Sequence, residues 1–371
     1  MPQFETIAFH IGFPKTGTTA IQEYISKNTD VLEHHGWCYF GGEVLGQNVG
    51  INAMVLMWTL TGGLGEHKLP GHSDDAPEMV EIFHRWIQQQ RAKNLLISSE
   101  NLALFDESRW RQILVAMKPY RSKETCIRIL QVVRHPLIRA LSVRNQSVKV
   151  SGSLTCSPWP RCHNLSTGEL SAFFADLFED CCSHFEVRRF EDLLDENLLS
   201  GFLRWLGLPI ENVESDVQMQ VNSSVSLESK WIMASAGRVE PGTWNYKFGK
   251  AMEGFPGVRD GWQEEEAREF WASIVNQENA YLASIGLKTY TFEEGFRPMC
   301  LENLWSEAFC DAWRKSLKSL SRAQVKRMLE VLQKLQPEVA QDEWPEEARV
   351  RFERLRRVTW KWAHMPKLLR M

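Results

Sequence analysis

The chain has 371 residues, of which 43% are hydrophobic and 24% charged, and a net charge of −4. That size suits one large α/β domain with an appendage, or two domains, and a slightly acidic balance argues against general nucleic-acid binding. The longest apolar run, residues 53–60, is too short to span a bilayer, and nothing at the start reads as a signal peptide, so the expectation is a soluble, cytoplasmic protein.

In chain order, the first informative stretch is residues 7–22, IAFHIGFPKTGTTAIQ. A short apolar strand runs into a turn rich in Gly and Thr, and a helix follows at once. Backbone N–H groups in such a turn, and at the helix N-terminus, present partial positive charge to an anion. Gly12 and Gly17 permit tight turning and close backbone approach. Thr18 and Thr19 add hydroxyl donors, and Lys15 adds a full charge. The glycines fit the spacing of the nucleotide-triphosphate loop G-x-x-x-x-G-K-[ST], but Thr18 stands where that loop has its lysine. The lysine here is Lys15, inside the loop and directly after Pro14.

The next strand signal covers residues 94–98 and ends in Ser98-Ser99-Glu100-Asn101. A third, residues 127–133, leads into Arg134, His135 and Pro136, then into a helical pattern carrying Arg139, Ser142, Arg144 and Asn145. Pro136 suits the first turn of that helix. An arginine at a strand end and a serine two turns along a helix can converge on one phosphate; solvated arginines on a surface helix are the plainer alternative. A fourth strand signal covers 185–189. Helical patterns, among them 18–28 and 77–90, lie between these strands, which indicates β-α-β units and a parallel sheet. In such sheets ligands bind outside the carboxyl ends of strands, where both loops and Glu100 fall.

PKTGTT, with Pro14, Lys15, Thr16, Gly17, Thr18 and Thr19, resembles the 5′-phosphosulfate loop of sulfotransferases that use 3′-phosphoadenosine 5′-phosphosulfate (PAPS). RHPLIRALS resembles the same family's second donor motif, R-[DN]-P-x-x-R-x-x-S, with His135 in place of the commoner Asp or Asn. Arg134 and Ser142 match the positions that hold the donor's 3′-phosphate. The RFEDL of residues 189–193, the FLRWLGLP of 202–209 and the VNSS of 221–224 continue the likeness more weakly, and Arg189 is a loose candidate for contact with the nucleotide. The likeness spans roughly residues 7–287 and implies a P-loop-like fold: an α/β domain over 1–296, with a helical extension over 297–371. It also implies PAPS as co-substrate, no metal, and a bacterial setting.

Sulfuryl transfer needs an acceptor oxygen that attacks sulfur while losing its proton, and a nearby carboxylate or imidazole serves that purpose. Glu100 is the candidate general base by position, because the only histidines at comparable strand ends, His10 and His135, sit inside the donor loops. The alternative for Glu100 is a capping or ion-paired carboxylate beside Arg109 or Arg111. Ser98 and Ser99 are open to two readings, a contact with donor or acceptor and an ordinary helix cap. Lys15 is the candidate group that stabilises charge on the leaving phosphate.

Residues 150–168 and 238–261 are irregular and aromatic, with Trp159, Trp244 and Tyr246. Long loops of that kind are often functional, and their composition suits a carbohydrate or lipid-linked acceptor rather than nucleic acid. The cysteines are scattered without zinc spacing; Cys156, Cys162 and His163 are the only metal candidates and lack a fourth ligand. From Arg349 onward eight Arg and Lys residues face one acid, Glu353, among Phe352, Leu355, Trp360 and Trp362. Such a basic amphipathic helix lies on an anionic membrane or partner, or packs on the catalytic domain or on a dimer mate. Two other functional readings remain: a P-loop kinase or NTPase, and a non-catalytic relative that binds a sulfated or phosphorylated ligand.

Overall fold

A computed structural model of the chain describes residues 3–12, 16–61, 76–151, 174, 183–195, 197–209, 226–239, 252, 255–256, 261–318, 320–335 and 344–365. They gather into two compact units. The first draws on Met1–His135, Arg161–Met219 and Asn276–Thr289, the second on Pro136–Pro160, Gln220–Val275 and Tyr290–Met371.

The first unit opens with β1 (Phe4–Gly12), α1 (Thr18–Lys27), α2 (Thr29–His34), β2 (Trp37–Tyr39), β3 (Gly42–Val44) and β4 (Gln47–Gly50). It continues with α3 (Met54–Leu60), α4 (Ala76–Gln89), β5 (Asn94–Ser98), a short 3₁₀ turn over Glu100–Leu104, α5 (Glu107–Met117) and β6 (Arg121–Val133). Five strands form one parallel sheet in the order β2-β5-β1-β6-β7, where β7 is Ser183–Arg189. Helices flank it. β1 is apolar and buried from Ile7 to Gly12, the pattern of a parallel strand covered on both faces. Its neighbours β5 and β6 lie on opposite sides of it, so the chain reverses its direction of winding across β1. A sheet of this kind opens a crevice at that reversal, outside the carboxyl ends of the strands.

Alternation along β1 decides what each face meets. Ala8, with Leu96, Leu130 and Val132, packs against Ile21 and Ile25 of α1 and against Phe202, Leu203 and Leu206. His10 and Gly12 share Ala8's face by the period of two. On the other face Phe9 meets the Trp110 ring edge-on at 5.5 Å. α1 turns Thr18, Ile21, Gln22 and Ile25 inward, one stripe at helical spacing.

The four expected strands all form: β5 matches its expected bounds, β6 and β7 begin earlier, and β1 runs from Phe4 to Gly12. β2 and the β3–β4 hairpin are additions to those expectations. The hairpin turns on Leu45 and Gly46, both at positive φ (51° and 74°), the conformation of a two-residue type I′ loop. Leucine is a poor signal for that turn, which hides it in the sequence.

After β7 come α7 (Phe190–Asp195) and α8 (Leu198–Leu206). Asn197 caps α8 by accepting the Leu199 N–H at 3.1 Å. The helix stops at Gly207, left-handed at φ 78°, where Leu208 N–H bonds back to Leu203 C=O. That is a glycine stop of the left-handed kind.

The second unit contains α6 (Pro136–Ser151), α9 (Leu227–Val239) and α10 (Glu264–Phe270); α11 (Asn276–Ser284) belongs to the first. Then follow α12 (Phe292–Gly295), α13 (Glu307–Lys318), α14 (Arg322–Gln333) and α15 (Glu346–His364). The C-terminal helices share one core with α9: Trp231, Ile232 and Met233 lie in the same cluster as Trp305, Phe309, Trp313, Leu332, Trp344 and Phe352. α15 buries Phe352, Leu355, Thr359 and Ala363. Its basic face is engaged within the unit at several points. Arg351 donates to Leu304 and Glu302 carbonyls, Arg354 pairs with Glu307, and Arg356 pairs with Glu353. No helix among the described residues is long and apolar enough to cross a membrane.

Candidate functional site: an anion cradle at the end of the central strand

β1 ends at Gly12, which pairs with Val132 of β6. Residues 13–15, with Pro14 and Lys15, lie outside the described residues. The chain resumes at Thr16 and enters α1 through Gly17. Two features make these glycines necessary. A β-carbon on Gly12 would stand 2.6 Å from Thr16 Oγ1 and 2.7 Å from Thr18 Oγ1, far inside van der Waals contact. Gly17 is left-handed at φ 78°, and a β-carbon there would lie 2.5 Å from Leu198 Cδ2 and 2.9 Å from Phe190 Cε2. Thr16 and Thr18 thus lie close over Gly12, and Gly17 lies close against Phe190 of α7 and Leu198 of α8.

Gly17 is also the N-cap of α1. It supplies no side-chain cap, and the first turn carries no acid, so α1 sets no acid of its own against the positive end of its dipole. Thr16 and Thr18 are buried with their hydroxyl oxygens 3.3 Å apart, whereas Thr19 is exposed. Backbone N–H groups and hydroxyls at this strand end are the donors that a candidate anion site would use.

Arg134 follows the end of β6, the strand next to β1. Its guanidinium lies over the Phe190 ring, 4.8 Å from the centroid. Phe190 therefore touches both sequence-predicted loops, limiting the room at Gly17 and stacking on Arg134. Its neighbour Glu191 accepts the His135 N–H at 3.2 Å. Arg189 is buried and donates to the Lys288 carbonyl at 3.3 Å. The RFEDL segment is the brace of the site, a role that its sequence pattern did not disclose: an aromatic and an acid after a strand look like ordinary core and cap.

Ser142 is half-buried on α6, in the second unit. Along the same helix Arg139 and Arg144 are buried, and Arg144 donates to the Gly261 carbonyl at 2.9 Å and lies 5.6 Å from the Trp262 ring centroid. α6 is therefore not a surface helix with solvated arginines.

Glu100 starts the 3₁₀ turn directly after β5 and Ser99, half-buried. Ser99 N–H bonds to the His10 carbonyl at 3.1 Å, tying this corner to β1. Arg111 pairs with Glu107. Ser98 turns away from the surface: its Oγ accepts from Gln22 Nε2 at 3.2 Å and lies 2.9 Å from His10 Nδ1. Burial holds the His10 imidazole far below its ordinary value, at about 3, so the ring is neutral at physiological pH.

Cys38 and Cys310 are buried, Cys126 is half-buried and Cys300 is exposed; burial pushes the Cys38 thiol up to about 12. Cys156, Cys162 and His163, Trp159, Trp244 and Tyr246, and the VNSS segment lie outside the described residues. Among the described residues no group of three His, Cys, Asp or Glu side chains is arranged to hold a metal ion. Comparison with known protein families and with curated proteins finds no match for this chain.

Proposed function

We propose that this chain is a PAPS-dependent sulfotransferase with a P-loop-like fold, acting on a hydroxyl of a carbohydrate or glycolipid. The observation that carries the reading is the shared wall at Phe190, which packs against the glycine turn of one anion loop and the arginine of the other. A donor whose ribose carries a charged group on both its 3′ and its 5′ oxygen is what two braced anion sites at adjacent strand ends would take.

In this reading Thr16, Gly17, Thr18 and Thr19 hold the 5′-phosphate and sulfonate oxygens through N–H and O–H donors. Arg134 and Ser142 hold the 3′-phosphate and so distinguish PAPS from plain adenosine nucleotides. The acceptor oxygen attacks sulfur and forms the new S–O bond. Its proton passes to the Glu100 carboxylate. The S–O bond to the 5′-phosphate breaks, and its electron pair stays on the phosphate oxygen of the departing 3′-phosphoadenosine 5′-phosphate. Lys15 meets that charge with a pre-placed ammonium, which stabilises it without reorganising water. Fixing acceptor and donor in line supplies the other large contribution. The carbohydrate assignment rests on the aromatic loops around Trp159, Trp244 and Tyr246.

Thermal-shift titration tests the reading. 3′-Phosphoadenosine 5′-phosphate raises the melting temperature, and ATP with magnesium does so less. Preferential stabilisation by ATP, or no shift with either nucleotide, overturns it. Glu100→Gln abolishes turnover of labelled donor onto an acceptor sugar while leaving the nucleotide shift intact; full turnover in that variant assigns the base elsewhere.

A further inference from the structure

The five-stranded sheet treats its two edges differently. At one edge stands β2, three residues long and buried at Trp37, Cys38 and Tyr39 alike. A short, covered edge offers no template to another strand. At the other edge, among the described residues, stands β7, seven residues long and in unbroken register with β6 from Ser183 to Arg189. It carries none of the usual guards against pairing, having no proline, no lysine and no bulge. Among the described residues no backbone group of residues 184–188 bonds to anything but β6, so the N–H and C=O groups on the outer side of the strand have no ladder partner. An open depression lined by Arg128, His184, Phe185, Glu186 and Trp205 runs along this edge, and His184 is exposed. Charge is ordered along the same strand. Glu186 and Arg188 stand across the ladder from Leu130 and Val132, and so share one face of the sheet, while Val187 between them points to the other. The two form an ion pair at the edge, where the Glu186 side chain is 40% exposed and that of Arg188 28%.

We propose that β7 is a self-association edge: two copies of this chain pair antiparallel, β7 against β7, about a two-fold axis at Val187, so that one sheet runs through both. In that register Val187 lies opposite Val187, and Glu186 of each copy lies opposite Arg188 of the other, twice over by symmetry. Each arginine then stands between two carboxylates, its own strand's and the second copy's. Opposite charges directly across an antiparallel pair are favourable and like charges are not. Moving the axis by one residue sets Glu186 against Glu186 or Arg188 against Arg188, so charge selects the register centred on Val187. A second copy brings the matching charge order by symmetry, which an unrelated strand does not. The strand gives way to a helix at Phe190, so residues 185–189 of each copy take part. A contact of that size is small, and the dimer it holds depends on concentration. The proposal is independent of the reaction assigned above.

Sedimentation velocity of the full chain, over concentrations from about 1 to about 100 µM, reads the association. The parent passes from monomer to dimer across that range. Glu186→Arg and Arg188→Glu each turn both cross-strand pairs repulsive and weaken the dimer by about tenfold or more, with melting curves to confirm that the variants fold. An equimolar mixture of these two variants sediments as a dimer again, because the positive edge of one meets the negative edge of the other. The double variant E186R/R188E exchanges the charges within each strand and returns to within about threefold of the parent. The mixture and the double variant separate edge pairing from mere damage to the strand. A parent that stays monomeric at the highest concentration overturns the proposal. So do single variants as dimeric as the parent, and so does a mixture or a double variant that stays monomeric.

Discussion

Beneath β1, the core that meets α1 and α8 holds His10, Ser98 and Gln22 among its apolar side chains, joined in a line that ends at the glycine turn. The core of the second unit is built instead on aromatic rings. Trp231 stacks on Trp344 at 5.5 Å, and Trp305 packs against Trp344, Phe309 and Phe352. This core too buries polar groups, among them Glu228 and Lys230: Glu228 Oε1 accepts the Trp305 N–H at 3.0 Å, and Trp313 Nε1 donates to Thr359 Oγ1 at 3.0 Å. Buried polar atoms are held at a cost in stability, whereas large rings bury the most apolar area per residue.

That contrast can be broken at several points. Trp305→Ala removes a fully buried ring with four aromatic neighbours and costs about 3–5 kcal/mol, read by urea denaturation. The folded fraction binds 3′-phosphoadenosine 5′-phosphate as before; a matching loss of affinity would show that this core also shapes the ligand site. Lys15→Ala acts the other way round. It lowers kcat by about 10²–10³-fold, as removal of a pre-placed charge-stabilising donor does, and it leaves the melting temperature where it was.

Gly17→Ala sits between the two. The left-handed backbone alone costs about 1–2 kcal/mol for an L side chain, and contact with Leu198 and Phe190 adds to that; both the melting temperature and the nucleotide-induced shift fall. Thr359→Val leaves Trp313 Nε1 buried without its acceptor, a loss of about 1–3 kcal/mol, with turnover per folded molecule unchanged.

The last effect is invisible at neutral pH and grows on acidification. The folded His10 titrates near 3 because of burial, whereas an unfolded histidine titrates near 6.5. As pH falls below about 6.5 the unfolded chain binds a proton that the folded one refuses. This residue's contribution is complete above that value, is lost by about 1.4 kcal/mol per pH unit below it, and levels off near pH 3. His10→Gln removes this slope, so its loss of stability between pH 7 and 4.5 is shallower than the parent's. Parallel curves would place the ring in contact with solvent.

The sequence by itself determined the local plan of this protein. Apolar runs located four of the five sheet strands, and glycines at fixed offsets located the turn at 12–17, because strand and helical periods and left-handed backbone are properties of neighbouring residues. Tertiary structure alone decided which distant residues meet. Nothing near Phe190 in the chain says that it wedges between Gly17 and Arg134, and nothing near His10 says that its ring is held by a serine 88 positions later. The same holds for the C-terminal helices, whose apolar stripes were legible while their shared core with Leu227–Val239 was not. The physical reason is that burial rewards any complementary apolar surface, so a stripe announces that it will be covered without naming the element that covers it.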